Sequence, residues 1–474
     1  MGIRWAAAVL ACTLLFVSCE SGDDGEGSAR VRQPRSSPSG DTGPIIALVG
    51  TMSGPNRWMG DDAYQAAHLA VFGELNRMRK PGELPFELLT ADDEGDPALA
   101  LELVEDYASE PRTVGIVYAG PAEVLAQAQP LLEEAGIPGV ILYEDLYSAR
   151  LLRSHLFQIA PPYLWQARRF AAYLRKDRGY RKVGALVEDS VAGTTAAGSL
   201  RSALGGRVRL RTQRYEGGGD LRLDGALDEL ERRDTQALVF HGDPTAAATL
   251  LAELRDRGAD YESTARAKRA GVRRGSSRPG RWAPQVLLFD RAMGPGLAGP
   301  IPAGTIAADT YARGAYYLPV PSFRDFLADF RGWWDTDPLG WQQRTFEAVS
   351  AVGWAARRTP PGEDVGATLE KMRERRYGGL DVTFGPDDHT SVEQTTVGLW
   401  VVPRPGAAPE ADRLPDRMPW VPLARGFSID GENLDYDSQD WRYLVRNPPP
   451  PNGPSPAIKR SRFGVVTSKK DPIH

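Results

Sequence analysis

Cysteine is almost absent. Of 474 residues only Cys12 and Cys19 carry a thiol. No disulfide framework can staple the rest of the chain, so its stability must come from a large apolar core. There is no HExxH helix and no paired CxxC, and the five histidines (His68, His155, His241, His389, His474) are scattered, which argues against the familiar zinc sites. A GxSxG elbow, a GxxxxGKS/T phosphate loop and a GxGxxG turn after a strand are all missing. The net charge of −5 does not give the basic footprint of a nucleic-acid binder. Apolar runs stay below the ~20 residues of a membrane-spanning helix. With no nucleophile–base pair in view, an enzyme is the weakest reading, and no cofactor or metal is called for.

The N-terminus has the layout of a secretory signal. Arg4 precedes the apolar or small run "WAAAVLACTLLFVS" (5–18), and Cys19 follows. The segment "FVSC" (16–19) resembles a bacterial lipobox, with Phe16 where that pattern prefers leucine. That resemblance implies cleavage before Cys19 and lipidation of its thiol; an ordinary cleaved signal is the alternative. Lipidation would leave the mature body without any free thiol. Residues 20–43 are rich in Gly, Ser, Asp, Pro and Arg and read as a disordered tether.

From Pro44 the pattern alternates. Predicted strands cover 45–50, 86–91, 113–120 and 137–143, with helices over 61–79, 97–109 and 121–135 between them. A second block has helices 163–177, 193–204, 220–233 and 244–257 among strands 182–188, 207–215, 236–242 and 285–289. Such alternation predicts an α/β fold, with two doubly wound parallel sheets covered by helices on both faces. Further on come a strand at 304–311, helices 321–334, 341–358 and 364–375, and two late strands joined by a turn. Residues 262–282 are basic and Gly/Ser-rich and read as a flexible surface insertion, with a functional basic patch as the alternative. A proline-rich extension, 404–474, closes the chain.

Two stretches stand out locally. Asp92, Asp93, Glu94 and Asp96 crowd a strand end that runs into an Asp-Pro helix start, where carboxylates cap backbone N–H groups. Residues 50–61, "GTMSGPNRWMGD", place Trp58 between glycine turns at Gly54 and Gly60, after a buried strand. Trp58 either offers a rigid face to a ligand or the opposing lobe, or packs against its own lobe.

Taken in order, "GTMSGPNRWMGDDAYQAAHLAVFGELN" (50–76), "LLTADDEGDPALALELVEDY" (88–107), "EEAGIPGVI" (133–141), "YRKVGALVEDS" (180–190) and "GLDVTFGPDDH" (379–389) resemble the type I periplasmic binding proteins of the branched-chain amino-acid class. The likeness spans about 44–403. It implies two lobes, 44–160 plus 305–375 and 161–304 plus 376–403, joined by three crossovers near 158–162, 300–305 and 375–380. It also implies a ligand in the cleft at the carboxyl ends of the strands. The site residues it implies are Trp58, Ser53, Ala122, Glu123, Tyr143 and Glu144 from the first lobe and Ser190, His241, Asp290 and Arg291 from the second, with Asp145, Asp189 and Asp243 nearby. Asp290 matches the carboxylate that takes a ligand amine. The small hydroxyl residues expected in "YAGPAEVLAQ" (118–127) and early in "LYEDLYS" (142–148) are replaced by acidic and aromatic ones.

The expected protein is therefore an exported lipoprotein on the extracytoplasmic face, anchored at Cys19 and monomeric. It would capture a small polar solute (an amino acid, amide or related compound) for an ABC permease. A ligand-sensing receptor acting through a signalling partner is the alternative. Nucleic acid is not an expected partner.

Overall fold

A computed structural model describes residues 42–54, 57–218, 221–257, 282–294, 297, 301–302, 304–310, 321–336, 338, 340–373, 375–377, 380–391, 397–402, 420–422, 427–429 and 432–434. The signal, Cys19 and nearly all of the tether, the 262–281 part of the basic insertion and most of the C-terminal extension lie outside them.

The first sheet holds five parallel strands: β1 (Ile45–Gly50), β2 (Glu87–Asp92), β3 (Thr113–Ala119), β4 (Gly139–Ile141) and β5 (Leu156–Gln158), in the order β2-β1-β3-β4-β5. Ile45 to Val49 are all completely buried, as a continuous apolar strand between two helical layers must be. Helices α2 (Pro97–Ala108) and α3 (Ala122–Ala135) cover one face, packing on Ala47, Val49 and Ile116. The other face receives α1 (Trp58–His68), its π-helical continuation Leu69–Leu75, and later helices. Asp96 accepts from Ala98 N–H at 2.8 Å with Pro97 next to it, so α2 begins as its sequence indicates.

The second sheet runs β6 (Lys182–Glu188), β7 (Arg209–Tyr215), β8 (Ala237–His241), β9 (Gln285–Leu288) and β10 (Ile306–Thr310), with β13 (Val397–Val401) and β14 (Val421–Pro422) at one edge. Its order is β14-β13-β10-β9-β8-β6-β7, parallel except where β13 meets its neighbours. Helices α4 (Tyr163–Ala172) and α5 (Val191–Leu204) pack on one face. Helices α6 (Asp224–Arg232) and α7 (Pro244–Asp256) pack on the other through Leu227, Leu230, Leu250 and Leu254.

The chain then returns to the first sheet with α8 (Pro321–Trp334), α9 (Gly340–Ala356) and α10 (Val365–Leu369). Helix α9 is buried almost all round, with Gln343, Arg344, Thr345, Glu347 and Ser350 as hidden as Val349 and Val352. It packs beside α1 on the first sheet and against α10, which leaves it little solvent-facing surface.

Several boundaries differ from expectation. The Gly/Pro-rich run before 305 reads as a crossover, yet β10 pairs with β9 and β13, so the chain stays in the second sheet to Thr310. The third crossing also falls later than 375–380. His389 stacks on Phe157 with centroids 4.5 Å apart, and Thr390 bridges Gln158, so the chain is still packed on the first sheet at Ser391. The two late strands do not form a hairpin: β12 (Leu380–Val382) pairs with β11 (Arg375–Tyr377), whereas β13 pairs with β10. The helix expected over 364–375 ends at Leu369. Strand β5, three residues long, is too short to show a period and had no counterpart among the predicted strands.

Candidate functional site

Both sheets change winding direction between neighbouring strands that are two apart in the chain order: β1 and β3 in the first, β6 and β8 in the second. Open α/β sheets bind ligands outside the carboxyl ends of strands at such points. The loops after β1, β3, β4, β6, β8 and β9 meet there, and they carry most of the residues expected from the sequence.

The approach of the first loop depends on two glycines. Gly54 has φ +69°, the left-handed region. Gly60 lies so close to the loop that an added Cβ would sit 2.4 Å from the Thr51 carbonyl oxygen. This tight turn sets Trp58 at the start of α1. Its ring centroid is 4.9 Å from that of Trp341 on α9, and Trp341 in turn lies 4.4 Å from Tyr143 beyond β4. The Tyr143 hydroxyl donates to the Met59 carbonyl at 3.3 Å. Trp58 also meets the other sheet's loops: a Cβ on Gly294 would lie 2.8 Å from its ring. Of the two sequence-based readings, packing within its own lobe is therefore incomplete, because Trp58 touches both halves.

Beside this aromatic wall two sets of ion pairs cross from one sheet to the other. Glu144, beyond β4, accepts from Arg291 Nη1 at 2.5 Å through Oε1 and from the Ala122 N–H at 2.8 Å through Oε2. Arg291 also faces Glu188 at the end of β6, 3.6 Å away. Arg344, on α9, reaches Asp290 at 2.8 Å and Asp309 on β10. Asp290 accepts a further bond from Gln166 of α4 at 2.7 Å. Arg344, Asp290 and Asp309 are each only 1% exposed, so these charges are satisfied by one another rather than by solvent.

Burial dominates the electrostatics. It raises the Glu144 carboxyl, against the opposing pull of Arg291 and the Ala122 N–H. It also pushes Asp290 up to about 6, where Arg344 acts to lower it and neighbouring Asp309 adds to the rise. For Arg291, burial works downward, but Glu144 and Glu188 hold it above the usual guanidinium range. His241 at the end of β8 is fully enclosed, edge-on to Tyr163 at 4.8 Å; burial first and Arg291 second drive its pKa well below 6.5.

Other expected residues have structural partners instead. Ser53 bonds to Asp92, which also accepts from the Met52 and Glu94 N–H groups. Ser190 caps α5 through Gly193 N–H, and Asp243 caps α7 through Ala246 N–H. Asp189 pairs with Arg214 on the surface. Asp145 accepts from Ser148 N–H, Tyr163 N–H and Gln158, bracing the first crossover. Glu123 stands half-buried in the first turn of α3, within electrostatic range of Glu144. Trp341, Arg344, Tyr163, Glu188 and Asp309 join the site without having been anticipated. The signal for Arg344 was weak: an arginine amid "GWQQRTFEAV" reads as the polar stripe of an amphipathic helix.

This fold, with its cleft at the carboxyl ends of two parallel sheets, is that of a bilobal binding protein. The chain belongs to the periplasmic binding protein family, whose model matches residues 45–402. None of the curated proteins matches the sequence. Solved structures of the same fold include a type 1 periplasmic binding protein from Bordetella pertussis, with TM-score 0.61, 17% identity, and coverage of 77% of this chain and 98% of that one. The branched-chain amino acid transporter substrate binding protein LivJ from Streptococcus pneumoniae, in complex with isoleucine, gives 0.59, 16%, 77% and 96% for the same quantities. A solute binding protein of an ABC transporter from Rhodopseudomonas palustris BisB5, in complex with 3,4-dihydroxybenzoic acid, gives 0.60, 14%, 83% and 95%. Among the described residues no helix is long and apolar enough to cross a membrane, and no group of His, Cys, Asp and Glu is arranged to hold a metal ion.

Proposed function

We propose that the protein is the solute-capturing component of an ABC importer, exported, held at the extracytoplasmic face by lipid on Cys19, and without catalytic activity. The observation that supports this most directly is the meeting of buried polar and aromatic groups from both sheets at the carboxyl ends of their strands. A small polar solute enclosed there would contact both lobes, and closure would present one surface to the permease. The relatives named above are recorded with an amino acid and with an aromatic acid, so the fold admits more than one ligand chemistry.

A second reading, a ligand-sensing lipoprotein that acts through a protein partner, draws support from the same ion pairs. Glu144–Arg291 and Arg344–Asp290 tie the sheets together from within the chain, which suits a body that reports its state. Titration calorimetry of the purified chain against amino acids, amides, sugars and polyamines tests capture. Uptake of the binding solute by cells with and without the gene then separates the two. Loss of uptake on deletion supports transport; unchanged uptake with tight binding supports sensing.

A further inference from the structure

Charged ligands are recognised by charged or strongly polar groups that have no other partner. In this cleft those groups already have one. A helix N-terminus with a guanidinium beside it is a natural carboxylate site. At the start of α3 the Ala122 N–H and Arg291 form such a site, and the chain's own Glu144 fills it, one oxygen to each. A ligand ammonium would need a free carboxylate. Asp290 and Asp309 are held by Arg344, and Asp145 by its three donors near the first crossover.

Apart from Glu188 Oε2, which has no hydrogen bond but faces Arg291 at 3.6 Å, and the Nε of the paired Arg344, the groups left over around these ion pairs are neutral. Among the described residues, the Tyr163 and Tyr118 hydroxyls and the indole N–H groups of Trp58 and Trp341 are buried without hydrogen-bond partners, and the His241 ring nitrogens have none beyond their own backbone. Tyr163 and Tyr118 lie within electrostatic range of Glu144, and His241 of Arg291, so these groups surround the same ion pair. Indole N–H groups only donate and want an acceptor oxygen, which an ammonium lacks. An added carboxylate would meet Glu144, Glu188, Asp290 and Asp309, four acids against the two arginines Arg291 and Arg344. Hydroxyls or amides satisfy donors and acceptors without adding charge, and the partly exposed ring of Trp58, backed by Trp341 and Tyr143, suits the apolar side of such a solute.

We propose that Glu144 and Arg344 occupy, from within the chain, the places where the charged ends of a zwitterion would bind, and that the cleft takes an uncharged, oxygen-rich solute of the polyol, sugar or amide type. This rests on the solute-capture reading above and narrows its ligand.

Two experiments on the full chain test it. In a thermal-shift panel, glucose, myo-inositol, glycerol, acetamide and urea are set against leucine, glutamate and lysine. At least one uncharged compound is expected to raise Tm by about 2 °C or more, with no rise from the amino acids. A rise with leucine, glutamate or lysine overturns the inference while leaving solute capture standing. No rise with any uncharged compound overturns the ligand class. The second experiment is chemical rescue. Glu144→Ala is expected to lose stability and to regain it with sodium acetate, which takes the vacated place between Ala122 N–H and Arg291, whereas sodium chloride does not restore it and the unsubstituted chain does not respond. Should Glu144→Ala not fold in buffer alone, refolding it in sodium acetate against sodium chloride provides the same comparison. Absence of an acetate-specific response in the foldable variant overturns the assignment of Glu144 as an internal stand-in for ligand carboxylate, whatever the panel shows.

Discussion

The Glu144 carboxylate joins two parts of the chain that are far apart in sequence: the Ala122 N–H of the first sheet's α3 and, 2.5 Å away, the Arg291 guanidinium beyond β9 of the second. Both side chains are well buried, Glu144 to 5% and Arg291 to 16% exposure. Removing either partner strands the other charge in a poorly hydrated place, a cost of about 3–5 kcal/mol, whereas replacing both with apolar groups of similar volume is often near neutral. Arg291→Met alone is therefore expected to lower stability strongly, and Glu144→Leu with Arg291→Met to recover most of the loss. Denaturant unfolding of the single and double variants measures this. Additive losses would show that the two residues do not depend on each other.

Arg344 supplies a charge the sequence did not advertise, and its removal should be readable in pH. Asp290 titrates at about 6 in the folded chain against 3.8 ordinarily, so folding takes up a proton between those values. A raised carboxyl of this kind favours the folded state most below 3.8, and that contribution is lost as pH rises through 6. Arg344→Met removes the group that holds Asp290 down, so Asp290 titrates higher and the loss deepens. The drop in Tm between pH 5 and pH 8 is expected to be larger in the variant than in the parent. Equal drops would mean that Arg344 does not control Asp290.

The fold was legible because "IIALVG" is apolar throughout, "KVGALVE" is apolar between its terminal Lys182 and Glu188, and both sit between helices of plain amphipathic period. Capping chemistry was legible too: Asp96-Pro97 marks the start of α2 in the sequence and in the structure. The crossovers were not. A Gly/Pro-rich run looks the same whether it leads out of a sheet or back into it, and only the pairing of β10 with β9 and β13 decides. Within the candidate site, Trp58 and Asp290 could be anticipated because they lie in or at the end of the segments that follow strands β1 and β9. Arg344 and Trp341 could not, because what brings them in is the burial of α9, a property of packing rather than of period, and Asp309 could not, because it lies within β10 and meets the site only through Arg344.

His241 gives a pH dependence of the opposite sign. Its ring is fully buried beside Arg291, which drives its folded pKa well below 6.5. The unfolded chain then binds a proton that the folded chain refuses. The stability this group contributes is present above pH 6.5 and declines as pH falls below it. His241→Phe keeps an aromatic ring against Tyr163 and Phe289 but cannot take up a proton. Its Tm is expected to fall less than the parent's between pH 7 and pH 5. A parallel fall in both proteins would remove His241 as the source.

Gly60 tests how the aromatic wall is set in place. A Cβ there would stand 2.4 Å from the Thr51 carbonyl oxygen and 2.5 Å from the Met52 side chain, both in the loop that leads to Trp58. Backbone cannot yield as a flexible side chain can, so Gly60→Ala must push α1 away from the loop and shift Trp58 relative to Trp341. Gly54, at φ +69°, has open space around it, so Gly54→Ala carries only the left-handed backbone penalty of about 1–2 kcal/mol. The two alanines should therefore part in kind. Gly54→Ala is expected to lower Tm modestly and leave tryptophan fluorescence unchanged. Gly60→Ala is expected to lower Tm further and shift the emission, because Trp58 loses its place 4.9 Å from Trp341. An unshifted spectrum in Gly60→Ala would show that the wall is held by Trp341 and Gly294 and does not need the close approach of α1 to its loop.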